Sequence, residues 1–129
     1  QMAKDLGIGK DVIFTGYIIG DEMVPLFKFS EMAVMPSLYE GFGSTILEAF
    51  ATGTPIIASN VSSIPEIAGG AAKLVNPVNV KEIADAMLEL AKDENLRNIY
   101  RTKGLEQVKK FTWEKCAQET LDLYKTFKK

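Results

Sequence analysis

An α/β fold, with one parallel sheet and helices on its faces, is what the sequence predicts, and three observations carry that expectation. Short apolar runs, Met32-Ala33-Val34-Met35 above all, fit buried strands. Segments of helical period follow such runs, and strands that alternate with helices call for a parallel sheet. No internal repeat, low-complexity tract or linker interrupts the 129 residues, a length that suits a single domain able to bury a core.

Taken in order, Met2 to Gly7 reads as the end of a helix closed by Gly7. It carries neither the charged nor the apolar region of a signal peptide, and the chain is expected to be a piece of a longer protein, truncated on its N-terminal side. Residues 11–15, Asp-Val-Ile-Phe-Thr, read as a strand ended by Gly16. Asp21 is placed to cap a short helix through Phe29, with Met23, Leu26 and Phe27 inward and Pro25 tolerated near its start. The strand at 32–35 comes next, then a helix from Thr45 to Thr52 with Ser44 as N-cap, stopped by Gly53 and Pro55. Residues 55–58 form a further strand, 62–68 a short helical or irregular connection, and 72–75 a fourth strand. Asn79 with Glu82 three residues on resembles a capping box, opening a helix whose apolar face is Val80, Ile83, Ala84, Met87, Leu90 and Ala91. A helix over 94–110 follows, anchored by Leu96, Ile99, Tyr100 and Val108. Thr112 caps the last helix, in which Trp113, Cys116, Ala117, Leu121, Tyr124 and Phe127 make one apolar stripe, expected to pack, with Cys116 an inert core thiol. Lys128 and Lys129 are expected to be a solvated end. The architecture is Rossmann-like: one domain over 1–129, ending in helices from about 79 to 127.

Composition narrows the functional classes. A net charge of −2 argues against a general nucleic-acid binder. No apolar run approaches the ~20 residues that cross a bilayer. One cysteine cannot form an internal disulfide, which suits a reducing cytoplasm. The absence of histidine removes imidazole acid–base chemistry and most zinc sites. There is no Asp-x-Asp triplet, so no metal ligand set is expected.

The stretch with chemistry in it is Glu40-Gly41-Phe42-Gly43-Ser44-Thr45, between strand and helix. Two glycines let the backbone turn sharply and approach a ligand, because no Cβ intervenes. Free amides around Gly43 to Ile46, with the positive end of the helix dipole, suit an anion such as a phosphate. Glu40 and Glu48 frame the loop. Sheets of this kind bind ligands at the carboxyl ends of their strands. Gly16-Tyr17, the Tyr39–Gly43 loop and Ser59–Ser63 are expected to converge there.

Glu-Gly-Phe-Gly with a second Glu eight positions after the first resembles the E-x7-E motif of retaining GT-B glycosyltransferases of the large group 1 family. Phe14-Thr15-Gly16, Pro36-Ser37, the run from Ala49 to Pro55, Ala58-Ser59-Asn60 and Ile64-Pro65-Glu66 agree in order, so the likeness spans about Val12 to Phe111. The resemblance implies the C-terminal, donor-binding half of a GT-B enzyme that moves a sugar from a nucleoside diphosphate to an acceptor hydroxyl with retention. It makes Glu40 and Glu48 the catalytic pair, Glu40 on the transferred sugar and Glu48 on the two ribose hydroxyls. It assigns Gly41, the amides of Phe42 and Gly43, and those of Ser44 and Thr45 to the donor, the last two to its diphosphate. It also implies that no metal or other cofactor is needed. The acceptor, a glycan or lipid, would meet a separate N-terminal domain, and an Arg and a Lys on preceding segments would face the diphosphate. The fragment alone is therefore expected to be inactive. A cytoplasmic enzyme of polysaccharide biosynthesis, with peripheral contact to the inner face of a membrane, fits this picture.

Plainer readings stand beside these. Glu40 would otherwise be a solvated loop acid, Glu48 a first-turn glutamate, and the glycines a turn. Tyr17 either stacks near the nucleobase or covers the sheet edge, and Glu66 reads as structural. A glycosidase also uses two carboxylates, ~5–9.5 Å apart, but has no need of a phosphate-type loop. A non-catalytic nucleotide-binding α/β domain explains the glycines and leaves both glutamates unexplained.

Overall fold

In the computed structural model, which describes residues 1–127, a three-stranded parallel sheet carries helices on both faces. Lys128 and Lys129 lie outside the described residues. Helices α1 (Met2–Asp5) and α2 (Met23–Lys28) precede the sheet. Strand β1 (Ala33–Met35) leads through α3 (Ser44–Ala51) to β2 (Ile56–Ser59), and β2 through α4 (Ile64–Ala68) to β3 (Lys73–Val75). Helices α5 (Val80–Lys92), α6 (Glu94–Val108) and α7 (Trp113–Thr126) complete the chain. The α/β expectation is met.

The central strand organises the core. Every residue of β2 is buried, as a strand covered on both faces must be. Its side chains alternate: Ile56 and Ala58 join Ile46, Ala49, Phe50 and Ile64 on one face, while Ile57 joins Val75, Ala86 and Leu90 on the other. Helix α6 packs mainly on α3, and three features fix it there. Gly104 lets it come against the Phe50 ring; the Arg101 Nε donates to the Gly53 carbonyl at 2.9 Å; the buried Gln107 Nε2 donates to the Ile67 carbonyl at 3.1 Å. A Cβ on Gly104 would stand 2.7 Å from the Phe50 Cδ1. Gly104→Ala therefore sets a helix-propensity gain of ~1 kcal/mol against an overpacking cost of ~1–3 kcal/mol. We expect a net loss on the order of 1 kcal/mol in urea unfolding; a stabilised variant would show that α6 is free to shift.

Several expectations need correction. Residues 11–15 form no strand, and Ile13 and Phe14 are each 85% exposed. A strand persists only where its amides and carbonyls find a neighbouring ladder, and no described segment supplies one. In α2 only Phe27 packs against the core; Leu26 is exposed and Asp21 makes no side-chain cap, its place being taken by a 3₁₀ turn at Gly20–Glu22. Helix α5 buries Ala86 and Leu90, with Ile83 half-buried, rather than Val80, Ala84, Met87 and Ala91, because β3 and α6 cover a face rotated from the one the apolar residues suggested. Asn79 caps it as expected, accepting from the Glu82 amide at 3.1 Å, but the Glu82 carboxylate reaches the Asn76 amide instead of closing the box. On α6, Ile99 is exposed while Leu96, Tyr100 and Val108 pack.

Thr112 caps α7 through the Lys115 amide at 3.1 Å, yet this helix buries nothing. Trp113 is 87% exposed, and Tyr124, Phe127 and Cys116 are exposed as well. The stripe exists in the sequence, but none of the described elements covers it.

Candidate functional site

Parallel pairing of Met35 with Ala58 and of Ser59 with Val75 brings the carboxyl ends of the strands to one edge. Two of the three expected loops meet there. The Ser62 hydroxyl donates to the Glu40 carbonyl at 2.6 Å, and the Ser63 hydroxyl reaches the carbonyls of Glu40 at 2.9 Å and Phe42 at 3.0 Å. The Glu40 amide points back to the Ser62 oxygen at 3.4 Å. The third loop does not join them: with no strand before Gly16, Tyr17 stands 92% exposed, and among the described residues no hydrogen bond or aromatic contact ties it to this edge.

At the start of α3 the cap is Gly43, not Ser44. Gly43 is buried with φ of +97°, a left-handed conformation that favours glycine, so the helix begins one residue earlier than expected, with Ser44 as its first residue. The Ile46 amide is taken by the Gly43 carbonyl at 3.0 Å. Among the described residues the amides of Gly43, Ser44 and Thr45 have no partner, so three donors and the positive end of the helix dipole remain open. Gly41 differs in kind. It lies outside the left-handed region, and a Cβ there would meet nothing within 4 Å. The turn needs glycine at 43; nothing in the fold needs it at 41.

The two carboxylates stand near this helix end. Glu40 is half-buried in the loop, and Glu48 is exposed four residues, about 6 Å along the helix axis, beyond Ser44. Neither carboxylate has a hydrogen-bond or ion-pair partner among the described residues. Phe42 is 51% exposed and sets its ring edge-on against Phe111, with 6.2 Å between centroids. Glu66, in the first turn of α4, is exposed. Sequence reasoning placed Ser62 and Ser63 in a loop at this edge but missed their hold on Glu40; hydroxyls directly after a buried strand were the available signal. Phe111 gave none, since its partner lies 69 positions earlier.

A shallow cleft of about 350 Å³ between β3 and α5 is of another kind. Its charges are already paired: Lys73 with Glu89 at 2.6 Å and Lys81 with Asp85 at 2.5 Å. The hydrogen bond to Glu89 holds the Lys73 ammonium above its ordinary value. This contribution to stability is present below the ordinary lysine range and is lost only as pH rises through the raised value. Exposed pairs of this sort contribute ~0–1 kcal/mol.

The sequence model described as "Glycosyl transferases group 1" matches residues 1–107. The chain is 38% identical over 112 residues to the O-antigen chain mannosyltransferase B of Escherichia coli, covering 87% of this chain and 29% of that protein. It is 34% identical over 129 residues to the MMP alpha-(1->4)-mannosyltransferase of Mycolicibacterium hassiacum, covering 96% and 31%. It thus spans about a third or less of the curated relatives it matches. Among solved structures, a sucrose-phosphate synthase from Thermosynechococcus elongatus superposes with a TM-score of 0.87 at 29% identity, over 97% of this chain and 32% of that one. The C-terminal domain of a glycosyl transferase group 1 family protein from Francisella tularensis gives 0.73 at 31% identity, over 84% and 57%.

Proposed function

The chain belongs to the group 1 glycosyltransferases, of GT-B fold, and on that premise we propose that it is the donor-binding domain of an enzyme that transfers a hexose with retention of configuration. One observation carries the proposal: three amides at the start of α3, without partners among the described residues, stand in the chain between two carboxylates likewise unpaired there, beside a glycine that the fold does not require. Amides at a helix end stabilise a diphosphate. In this reading Ser44 and Thr45 hold the diphosphate, and the amides of Phe42 and Gly43 the sugar. Glu48 accepts two hydrogen bonds from the ribose, as a carboxylate is able to do. Glu40 accepts from the sugar that is transferred.

No group of the chain needs to act as nucleophile. The departing diphosphate takes up the proton of the acceptor hydroxyl, which suits a chain without histidine. Two relatives are named as mannosyltransferases, one of them for an O-antigen chain, and this supports mannose as the sugar and a polysaccharide as the product. The acceptor is a glycan or lipid held by a further domain, with the enzyme at the inner face of a membrane; no helix among the described residues is long and apolar enough to cross one. Tyr17 reaches the nucleobase only if its segment closes over the donor.

A titration followed by amide NMR tests this, using GDP, UDP and ADP and then their hexose derivatives, with EDTA present. Shifts at Gly43 to Glu48, with one nucleotide preferred, are expected. Binding in which the sugar adds nothing would favour the non-catalytic nucleotide-binding reading. The helix end alone contributes ~0.3–2 kcal/mol toward the leaving diphosphate, where charge stabilisation matters most. Donor binding by this chain is therefore expected to be weak and turnover absent; sugar transfer by the chain alone would overturn that.

A further inference from the structure

We infer that Ser62 and Ser63 are positioning residues for the donor sugar, acting through the backbone on either side of Gly41; the inference rests on the donor-site reading of Glu40. The loop from Pro36 to Gly43 carries no strand or helix of its own, so its course depends on what ties it down. The two hydroxyls supply three contacts to the carbonyls of Glu40 and Phe42, the residues on either side of the open glycine, all across 21 to 23 positions of chain. They fix the residue that supplies the sugar-side carboxylate and the residue that precedes the α3 cap. A small change in either moves Glu40 relative to the free amides of Gly43 and Ser44, and geometry of that kind decides how well a positioned group acts.

Ser62 adds an independent sign. Its φ of +58° makes it the one non-glycine residue with positive φ among the described residues. Glycine adopts that conformation freely; serine adopts it at a cost, and such costs persist where surrounding structure holds the residue in place. The hydroxyl on Glu40 is what the serine gains for it. A residue kept only for the turn would be glycine.

Ser62→Gly separates folding from positioning, because it relieves the backbone while removing the hydroxyl. Ser63→Ala removes two contacts, and Ser63→Thr restores a hydroxyl. The measurements, on the 129-residue chain, are ligand-free amide spectra, urea unfolding, and titration with GDP and GDP-mannose, or the nucleotide pair the unaltered chain prefers. In Ser62→Gly and Ser63→Ala the amides of Glu40 to Gly43 should shift while those of Phe50 and β2 stay. The midpoint of Ser62→Gly should not fall. The affinity gained from the sugar should drop about three- to tenfold, with nucleotide affinity unchanged and Ser63→Thr near the original. Unmoved Glu40 to Gly43 amides, or an undiminished sugar contribution, would overturn the inference. If neither nucleotide nor nucleotide-sugar binds the unaltered chain while the amides do shift, the hydroxyls clamp the loop and it is the donor reading that fails, taking the positioning role with it.

Discussion

Phe50→Ala should remove ~3–5 kcal/mol of stability, a large share of the about 5–15 kcal/mol that holds a domain folded. Phe50 is 1% exposed and lies where α3, the β2 face and α6 meet, with Gly104 recessed to admit its ring. Truncation takes away the transfer free energy of the ring and leaves a cavity that Gly104, having no side chain, does nothing to fill. Urea unfolding followed by circular dichroism measures this directly. A loss below about 1 kcal/mol would mean that α6 collapses onto α3, and that the recess at Gly104 is not a fixed socket.

The largest effect on chemistry is expected at Glu40. In the enzyme that carries this domain, Glu40→Ala should lower kcat/KM about 100-fold, the scale set by losing charged hydrogen bonds of ~1.5–3 kcal/mol to a bound sugar. Because the Glu40 side chain has no partner among the described residues, unfolding midpoints should hardly change. Nucleoside diphosphate affinity should also be retained, since the amides of α3 are untouched. Transfer within threefold of the original enzyme would remove Glu40 from the site, and a collapsed midpoint would mean that its role is structural.

How much of this was legible beforehand follows from how local each signal is. The alternation of strands and helices from β1 onward and the Asn79 and Thr112 caps depend on residues a few positions apart, and they were legible in the sequence. Whether residues 11–15 pair, which face of α5 turns inward, and whether the α7 stripe is covered all depend on neighbours far along the chain. Hydrophobic period carries no information about those. The apolar look of Val80 and Met87 was misleading for that reason, and Gly104 and Gln107 were overlooked because a glycine and an amide seldom announce a helix interface. At the site, residue types pointed to the loop and to both carboxylates. The hydroxyls that hold the loop became visible only when β2 was laid beside β1.

The unlike settings of Gly41 and Gly43 mean that two identical residues, two positions apart, answer to different selective pressures. Drift at position 43 meets the requirement of folding itself and is purged in any descendant that must still form α3. Drift at position 41 meets no steric bar from the fold, so if the proposed donor site holds, only descendants that keep a ligand there have reason to keep the glycine. A lineage that abandoned the ligand would then lose Gly41 first and Gly43 last, and the order of loss would record when the ligand was given up.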